Sequence, residues 1–243
     1  MSNELPTYKA LVILPAFNEA KNIVPIVENL KRTCPQLDFI VVNDGSSDGT
    51  AALCKEHGFP LLDLPVNLGL AGAVVAGMKY AWLNGYDAAI QFDADGQHQA
   101  EFLHPMLDEL NKGYDIVCGS RYLKESKPLS ARMLGGQLIA WTIRLTTGAA
   151  LTDPTSGLRA YSRRIIEEFA TQINITPEPD TISYLIRLGA KVTEVPVCME
   201  ERLHGKSYLT LALSIKYMLR MGISILLLQP LRGGQLSSQK PEE

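Results

Sequence analysis

Apolar and polar positions alternate in blocks along the first 120 residues. ALVIL (10–14) is a short apolar run closed by Pro15, the pattern of a buried strand. From Glu19 to Lys31 the apolar positions Ile23, Ile26, Val27 and Leu30 recur at helical spacing. DFIVVN (38–43) predicts a second strand, Ser47 to His57 a helix with Ser47 as its N-cap, and PLLDL (60–64) a third strand. Gly69 to Leu83 reads as a helix whose small residues let it pack close to a sheet. A strand DAAIQF (87–92), a helix Gln99 to Asn111 and a strand DIVCGS (115–120) follow. Strands separated by helices predict an α/β fold with a mostly parallel sheet covered on both faces.

The later chain is less regular. Helices are predicted over Ala131 to Thr147, Arg163 to Ala170 and Asp180 to Leu188, the last with Gly189 as its C′ residue. LRAYS (158–162) and KVTEVPV (191–197) read as strands. A polar loop over 198–209 precedes a mostly apolar helix, and the tail GGQLSSQKPEE is expected to be disordered. The expected organisation is a catalytic domain over 1–208, an apolar, amphipathic helix over 209–231 and the tail 232–243.

In an open parallel sheet, ligands collect at the carboxyl ends of the strands. Four polar stretches fall there: PAFNE, NDGSSDG, DADGQH and GSRY. In an extended DADGQH, Asp93 and Asp95 share one side, and two carboxylates on one side repel unless a cation joins them. Hard oxygen ligands suit Mg²⁺ or Mn²⁺, with Gln97 and His98 extending the set. The plainer reading is an Asp95–Gly96 turn with Asp93 as a helix cap. An EF-hand fails on register, because its closing glutamate position is His104 in one stretch and Lys55 in the other. Asp44 is placed to accept a hydrogen bond from a nucleobase N–H. The glycine-rich 67–77 stretch lacks both G-x-G-x-x-G and a Walker lysine.

Composition narrows the class. Of the 243 residues 46% are apolar and 20% charged, with net charge −3, so no nucleic-acid partner is expected. The four cysteines form no CxxC pair and read as buried thiols of a reducing cytosol. MSNELPTYKA has no signal-peptide pattern, and no run of 18 apolar residues occurs.

The set LPAFNEAKNI, VVNDGSSDGT, DADGQH, GSRY, TDPTSGLRAYSR and EVPVCMEERLHGKSYL resembles an inverting family 2 glycosyltransferase of GT-A fold, in order from Leu11 to Leu209. The likeness is nearest to the polyprenyl-phosphate glycosyltransferases, the group that includes dolichyl-phosphate mannose synthase. It implies transfer of one sugar from a UDP- or GDP-sugar to an undecaprenyl-type polyprenyl phosphate, with Mg²⁺ or Mn²⁺. By position it implies a nucleotide site at Pro15, Phe17, Glu19, Val42, Asp44 and Ala94. The metal and diphosphate site falls at Asp93, Asp95 and Gln97, and basic positions around the phosphates at Arg121, Arg132, Arg202 and Lys206. Asp153 stands near the acceptor. Leu70 departs from the aromatic or charged residue common in the family, and the further transmembrane helices of many relatives do not follow.

A phosphate monoester with a second pKa near 6 is already ionised at pH 7 and needs positioning, whereas a sugar hydroxyl needs a general base, for which Asp153 is the candidate. Hydroxyl transfer to a cell-wall polysaccharide or glycolipid is therefore the alternative chemistry. A non-catalytic nucleotide-sugar-binding subunit is the alternative from another class. The 209–231 helix, with Lys216 and Arg220 on one face, predicts a peripheral enzyme at the inner face of the cell membrane. A small integral membrane partner, or a homo-oligomer, is the other expected use of that helix.

Overall fold

The computed structural model describes residues 9–123, 131–199, 211–234 and 236, the side chains at 131–132 and 211–215 excepted. Seven strands form one sheet: β1 (Ala10–Ala16), β2 (Asp38–Asp44), β3 (Leu61–Leu64), β4 (Ala88–Gln91), β5 (Ile116–Ser120), β6 (Arg159–Ser162) and β7 (Val192–Pro196). Their spatial order is β3-β2-β1-β4-β6-β5-β7. β1 pairs parallel with β2 and β4, β2 with β3, and β5 with β7.

β6 runs antiparallel to both β4 and β5. The sense follows from where the chain re-enters the sheet. Asp153 sits beside Arg121, at the carboxyl end of β5, so the chain enters β6 from that edge and must run back through the sheet.

Alternation within β1 sorts the two cores. Val12 and Leu14 face one side, packed with Ile23, Val27 and Leu30 of α1 (Ile23–Thr33) and with Leu103, Met106 and Leu107 of α4 (Leu103–Asn111). α2 (Thr50–Glu56) adds Cys54 to that layer. Leu11 and Ile13 face the other side, where Val74 and Met78 of α3 (Gly69–Leu83) lie with Ile139 and Ile143 of α5 (Ala131–Thr147). α6 (Arg163–Thr171) and α7 (Pro179–Arg187) complete this layer with Ile165, Ile166, Ile182 and Leu185. Gly77 permits the α3 contact: a Cβ there would stand 2.4 Å from Ile13 Cγ2.

The C-terminal segment is α8 (Leu211–Ile223), a π turn (Ser224–Leu228) and a last helical turn (Gln229–Leu231). Its anchor is Asp180, whose Oδ2 accepts hydrogen bonds from Ser224 Oγ at 2.6 Å and Gln229 Nε2 at 3.2 Å. Beyond it Gly233 O accepts a hydrogen bond from Tyr184 OH, so the start of the expected disordered tail packs against α7. Cys34, Cys54 and Cys118 are buried as expected. Cys198 is exposed, contrary to the reading of four buried thiols.

Two helices begin later than their periodicity suggests. The 19–22 segment is a turn in which Glu19 O accepts from both Asn22 N and Ile23 N at 2.9 Å. Ser47 does not cap α2. Its N–H goes to Asn18 Oδ1 at 2.9 Å, and Asp48 Oδ1 accepts from Thr50 N at 3.1 Å instead.

Candidate active site

The loops after β1 and β2 are stitched together. Asn18 N donates to Ser46 Oγ at 2.9 Å, Glu19 N to Thr50 Oγ1 at 3.0 Å and Ala20 N to Asp48 Oδ2 at 3.0 Å. The residues that a local pattern assigns to two helix starts are used to lock the loops across a gap of about thirty residues. The lock fixes Glu19 and Asp44 at the sheet edge. Asp44 is buried, and its Oδ1 accepts from Leu68 N at 2.7 Å, which ties the loop before α3 to the same edge.

Two cavities of about 320 Å³ each lie side by side there. The first is lined by Pro15, Phe17, Glu19, Asp44, Asn67 and Ala94, among others. The second is lined by Gln97, His98, Arg121, Arg159, Glu178 and Tyr217, among others. Asp93, Asp95 and Leu70 line both, so the two carboxylates stand on the partition between the cavities.

The DADG backbone is not extended throughout. Gly96 has φ +79°, and Asp95 Oδ1 accepts from Gln97 N at 3.0 Å, closing a turn. Both acids nonetheless face the same space. Asp93 Oδ1 accepts from Gln91 Nε2 at 3.3 Å, and His98 Nε2 lies 3.6 Å from Oδ2. Burial pushes the Asp93 carboxyl up, but His98, Gln91 and the Arg159 guanidinium outweigh it and hold the group below the usual carboxylate range.

The donor set is all oxygen: two carboxylates and the Gln97 amide, which suits Mg²⁺ or Mn²⁺. Among the described residues no three His, Cys, Asp or Glu side chains gather closely enough to cage an ion. An ion here would therefore share its coordination with a ligand's phosphates, the ordinary manner of Mg²⁺.

Gly157 forms the wall behind Asp93. A Cβ at Gly157 would stand 2.3 Å from Asp93 Oδ2 and 3.5 Å from His98 Nε2. Gly157→Ala therefore displaces the Asp93 carboxylate while substituting neither acid. Steady-state kinetics should show kcat reduced by about 10²-fold, the cost of misplacing a reacting group by about an ångström. An unchanged kcat would mean that the position of Asp93 is immaterial.

Across the second cavity Arg121 and Asp153 form a fork-to-fork pair. Arg121 Nε donates to Asp153 Oδ2 at 2.6 Å and Nη2 to Oδ1 at 2.8 Å. The Asp153 side chain is 2% exposed and that of Arg121 24%. Glu194 of β7 holds the loop from behind, accepting from Asp153 N at 2.8 Å and Thr152 N at 2.7 Å. Both Asp153 carboxylate oxygens are thus engaged by the Arg121 guanidinium.

The model of Glycosyl transferase family 2 matches residues 11–170. The chain belongs to that family. This family 2 glycosyltransferase is 32% identical over 221 residues to the polyprenol monophosphomannose synthase of Mycolicibacterium smegmatis, covering 83% of this chain and 81% of the relative. It is 33% identical over 214 residues to the undecaprenyl-phosphate mannosyltransferase of Micrococcus luteus, covering 82% and 86%. Among solved structures, the glucosyl-3-phosphoglycerate synthase of Mycobacterium tuberculosis in complex with Mn²⁺ and uridine-diphosphate-glucose superposes with TM-score 0.66 at 20% identity, covering 92% of this chain and 79% of that one. The expected GT-A architecture is the one found.

Not every expected site residue of the glycosyltransferase reaches the cavities. Val42 lines neither cavity and is buried in one cluster with Leu11, Ile40 and Ala73, whereas Asp44, two residues on, stands at the strand end and lines the first. Arg202 and Lys206 lie outside the described residues, as does the Arg132 side chain.

Other residues escaped notice in the sequence. Arg159 reads as an ordinary strand position, yet its guanidinium is buried in the second cavity's wall, donating to Pro177 O at 2.6 Å and Pro154 O at 2.8 Å. Its signal was an arginine inside an apolar strand, and the same signal, an acid within KVTEVPV, marked Glu194. Asn67, in the first cavity, carried no such mark.

Proposed function

We propose that this glycosyltransferase moves one sugar, with inversion, from a UDP- or GDP-sugar to a polyprenyl phosphate of the undecaprenyl type, producing a lipid-linked sugar donor for envelope glycan. The observation that carries the reading is the carboxylate pair on the partition between two cavities, with an arginine held in the far one. The names of the two relatives above support the acceptor class.

In this reading the nucleoside occupies the first cavity. Phe17, at 36% exposure, offers a face for the base, and Asp44 and Glu19 offer acceptors. The donor's diphosphate reaches the partition at Asp93, Asp95 and Gln97. A bound Mg²⁺ or Mn²⁺ supplies Lewis-acid stabilisation of the charge that the departing nucleoside diphosphate gains.

The acceptor phosphate enters the second cavity. Arg121, fixed by Asp153, orients it for attack on the anomeric carbon and offsets its repulsion from the diphosphate, with Arg132, Arg202 and Lys206 assigned to the same task. A phosphate oxygen forms the new bond to carbon as the bond to the diphosphate breaks. The attacking oxygen is already ionised, so the pairing of Asp153 with Arg121 costs the reaction nothing. That pairing disfavours a hydroxyl acceptor, which requires a base.

A labelled donor incubated with polyprenyl phosphate tests the reading. Label should move into the organic phase, dependent on divalent cation. Label that remains aqueous with polyprenyl phosphate but transfers to an oligosaccharide acceptor overturns it.

A further inference from the structure

The second cavity carries two unlike sets of polar groups. One is the Arg121 cation, held by Asp153. The other is a pair of hydrogen-bond acceptors that the transfer chemistry leaves unused, the Gln91 amide oxygen and the Glu178 carboxylate.

Gln91 closes β4 and is 3% exposed. Its Nε2 donates to Asp93 Oδ1 at 3.3 Å, while its Oε1 has no hydrogen-bond partner among the described residues. A buried oxygen left without a donor is unfavourable, and a ligand hydroxyl that reaches it removes the deficit.

Arg159 lies directly opposite Gln91 in the β4–β6 ladder, so the two side chains share one face of the sheet. Arg159 Nη1 donates to Pro177 O at 2.6 Å, which ties the entry to α7 to that face and brings in Glu178. Glu178 is the N-cap residue of α7, yet its side chain makes no capping hydrogen bond. Burial pushes its carboxyl up; Arg220 and Arg159 pull it back, Asp180 adds to the rise, and the net is upward. Tyr217, half-buried, adds an aromatic face to the same cavity.

Hydrogen-bond acceptors beside an aromatic face suit an uncharged ring rich in hydroxyls. A phosphate does not fit them, because Glu178 would repel it. A prenyl chain does not fit either, because it would strand both polar groups. We infer that Gln91 and Glu178 read hydroxyls of the transferred sugar and select a neutral hexose over a hexuronate, whose carboxylate would meet Glu178. The inference rests on the nucleotide-sugar reading above and names the class of sugar within it.

Calorimetric titration of the full chain in Mn²⁺ tests it with two matched pairs, UDP-glucose with UDP-glucuronate and GDP-mannose with GDP-mannuronate, and with UDP and GDP alone. One neutral donor should bind, and its uronate counterpart about tenfold more weakly. Gln91→Leu and Glu178→Gln should each weaken the neutral donor by about tenfold more than they weaken the free nucleotide, the loss of one hydrogen bond to a sugar hydroxyl. Glu178→Gln should also improve binding of the uronate.

Equal losses for nucleotide and nucleotide sugar overturn the inference, since Gln91 would then act through Asp93 alone. So does a uronate bound as tightly as its neutral counterpart, or no binding of either neutral donor. Neutral-donor binding as expected, with no transfer of label to polyprenyl phosphate, keeps the sugar subsite and removes the proposed lipid acceptor.

Discussion

Asp95→Asn and Asp93→Asn should each lower kcat by about 10²–10³-fold, the usual cost of removing one group that stabilises charge on a leaving group. The expectation is specific because asparagine preserves the local structure. An amide at position 95 would keep an Oδ1 acceptor for Gln97 N, and an amide at position 93 one for Gln91 Nε2, so the turn and the wall survive. What is lost is charge on the partition between the cavities. The thermal midpoint should therefore stay close to the wild type for Asp95→Asn and fall modestly for Asp93→Asn, whose charge also faces His98 and Arg159, while turnover collapses in both. If these acids merely closed a turn and capped a helix, the same substitutions would change kcat by no more than a few-fold. The measurement is initial rate against donor at saturating acceptor, with circular dichroism of each variant as the control for folding.

The second large effect concerns the clamp. Asp153→Ala leaves the Arg121 guanidinium, three-quarters buried, without its fork partner. Removing one member of a buried pair costs about 3–5 kcal/mol, and the residual exposure of Arg121 places this pair at the lower end, about 3 kcal/mol. For a chain of this size that is a fall in Tm of about 6–12 °C.

The kinetic pattern then separates two roles for Asp153. If it aims Arg121, Asp153→Asn and Arg121→Lys should damage transfer to a similar degree, since each destroys the two-point fork and leaves at most one hydrogen bond. The acid limb of the rate profile should stay near pH 6, where the acceptor phosphate takes up its second proton and loses nucleophilicity, in the wild type and both variants. If Asp153 were a general base, Asp153→Asn would abolish the acid limb and Arg121→Lys would be mild by comparison.

The edge at which these groups meet was legible because the physics that makes it is local. Apolar runs fix the strands, helical crossovers make most of them parallel, and parallel strands bring their carboxyl ends to one side. That is why Asp44, Asp93 and Arg121, far apart in sequence, were assigned to one place. The ends of α3 and α5 were equally plain, since each helical block begins and ends within its own sequence.

What escaped was set by distant partners. α1 and α2 begin late because Asn18, Glu19 and Ala20 bond across to Ser46, Thr50 and Asp48 of the other loop. The sense of β6 depends on where the chain returns to the sheet, which no periodicity encodes. Arg159 gains its position from carbonyls at 154 and 177, and Asp153 its backing from Glu194, forty-one residues on. Val42 shares the parity of Asp44, but it packs in the core two residues short of the strand's carboxyl end and lines neither cavity.

In the proposed function Asp93 and Asp95 join a divalent cation to a nucleoside diphosphate at the partition between the cavities. Thermal-shift titration with UDP and with GDP, each with and without Mn²⁺, reads that joint binding most directly. One nucleotide and Mn²⁺ together should raise Tm by more than the sum of their separate effects, and Asp95→Asn should remove the excess. Nucleotide stabilisation that is the same with and without Mn²⁺, in the wild type as in the variant, would contradict it.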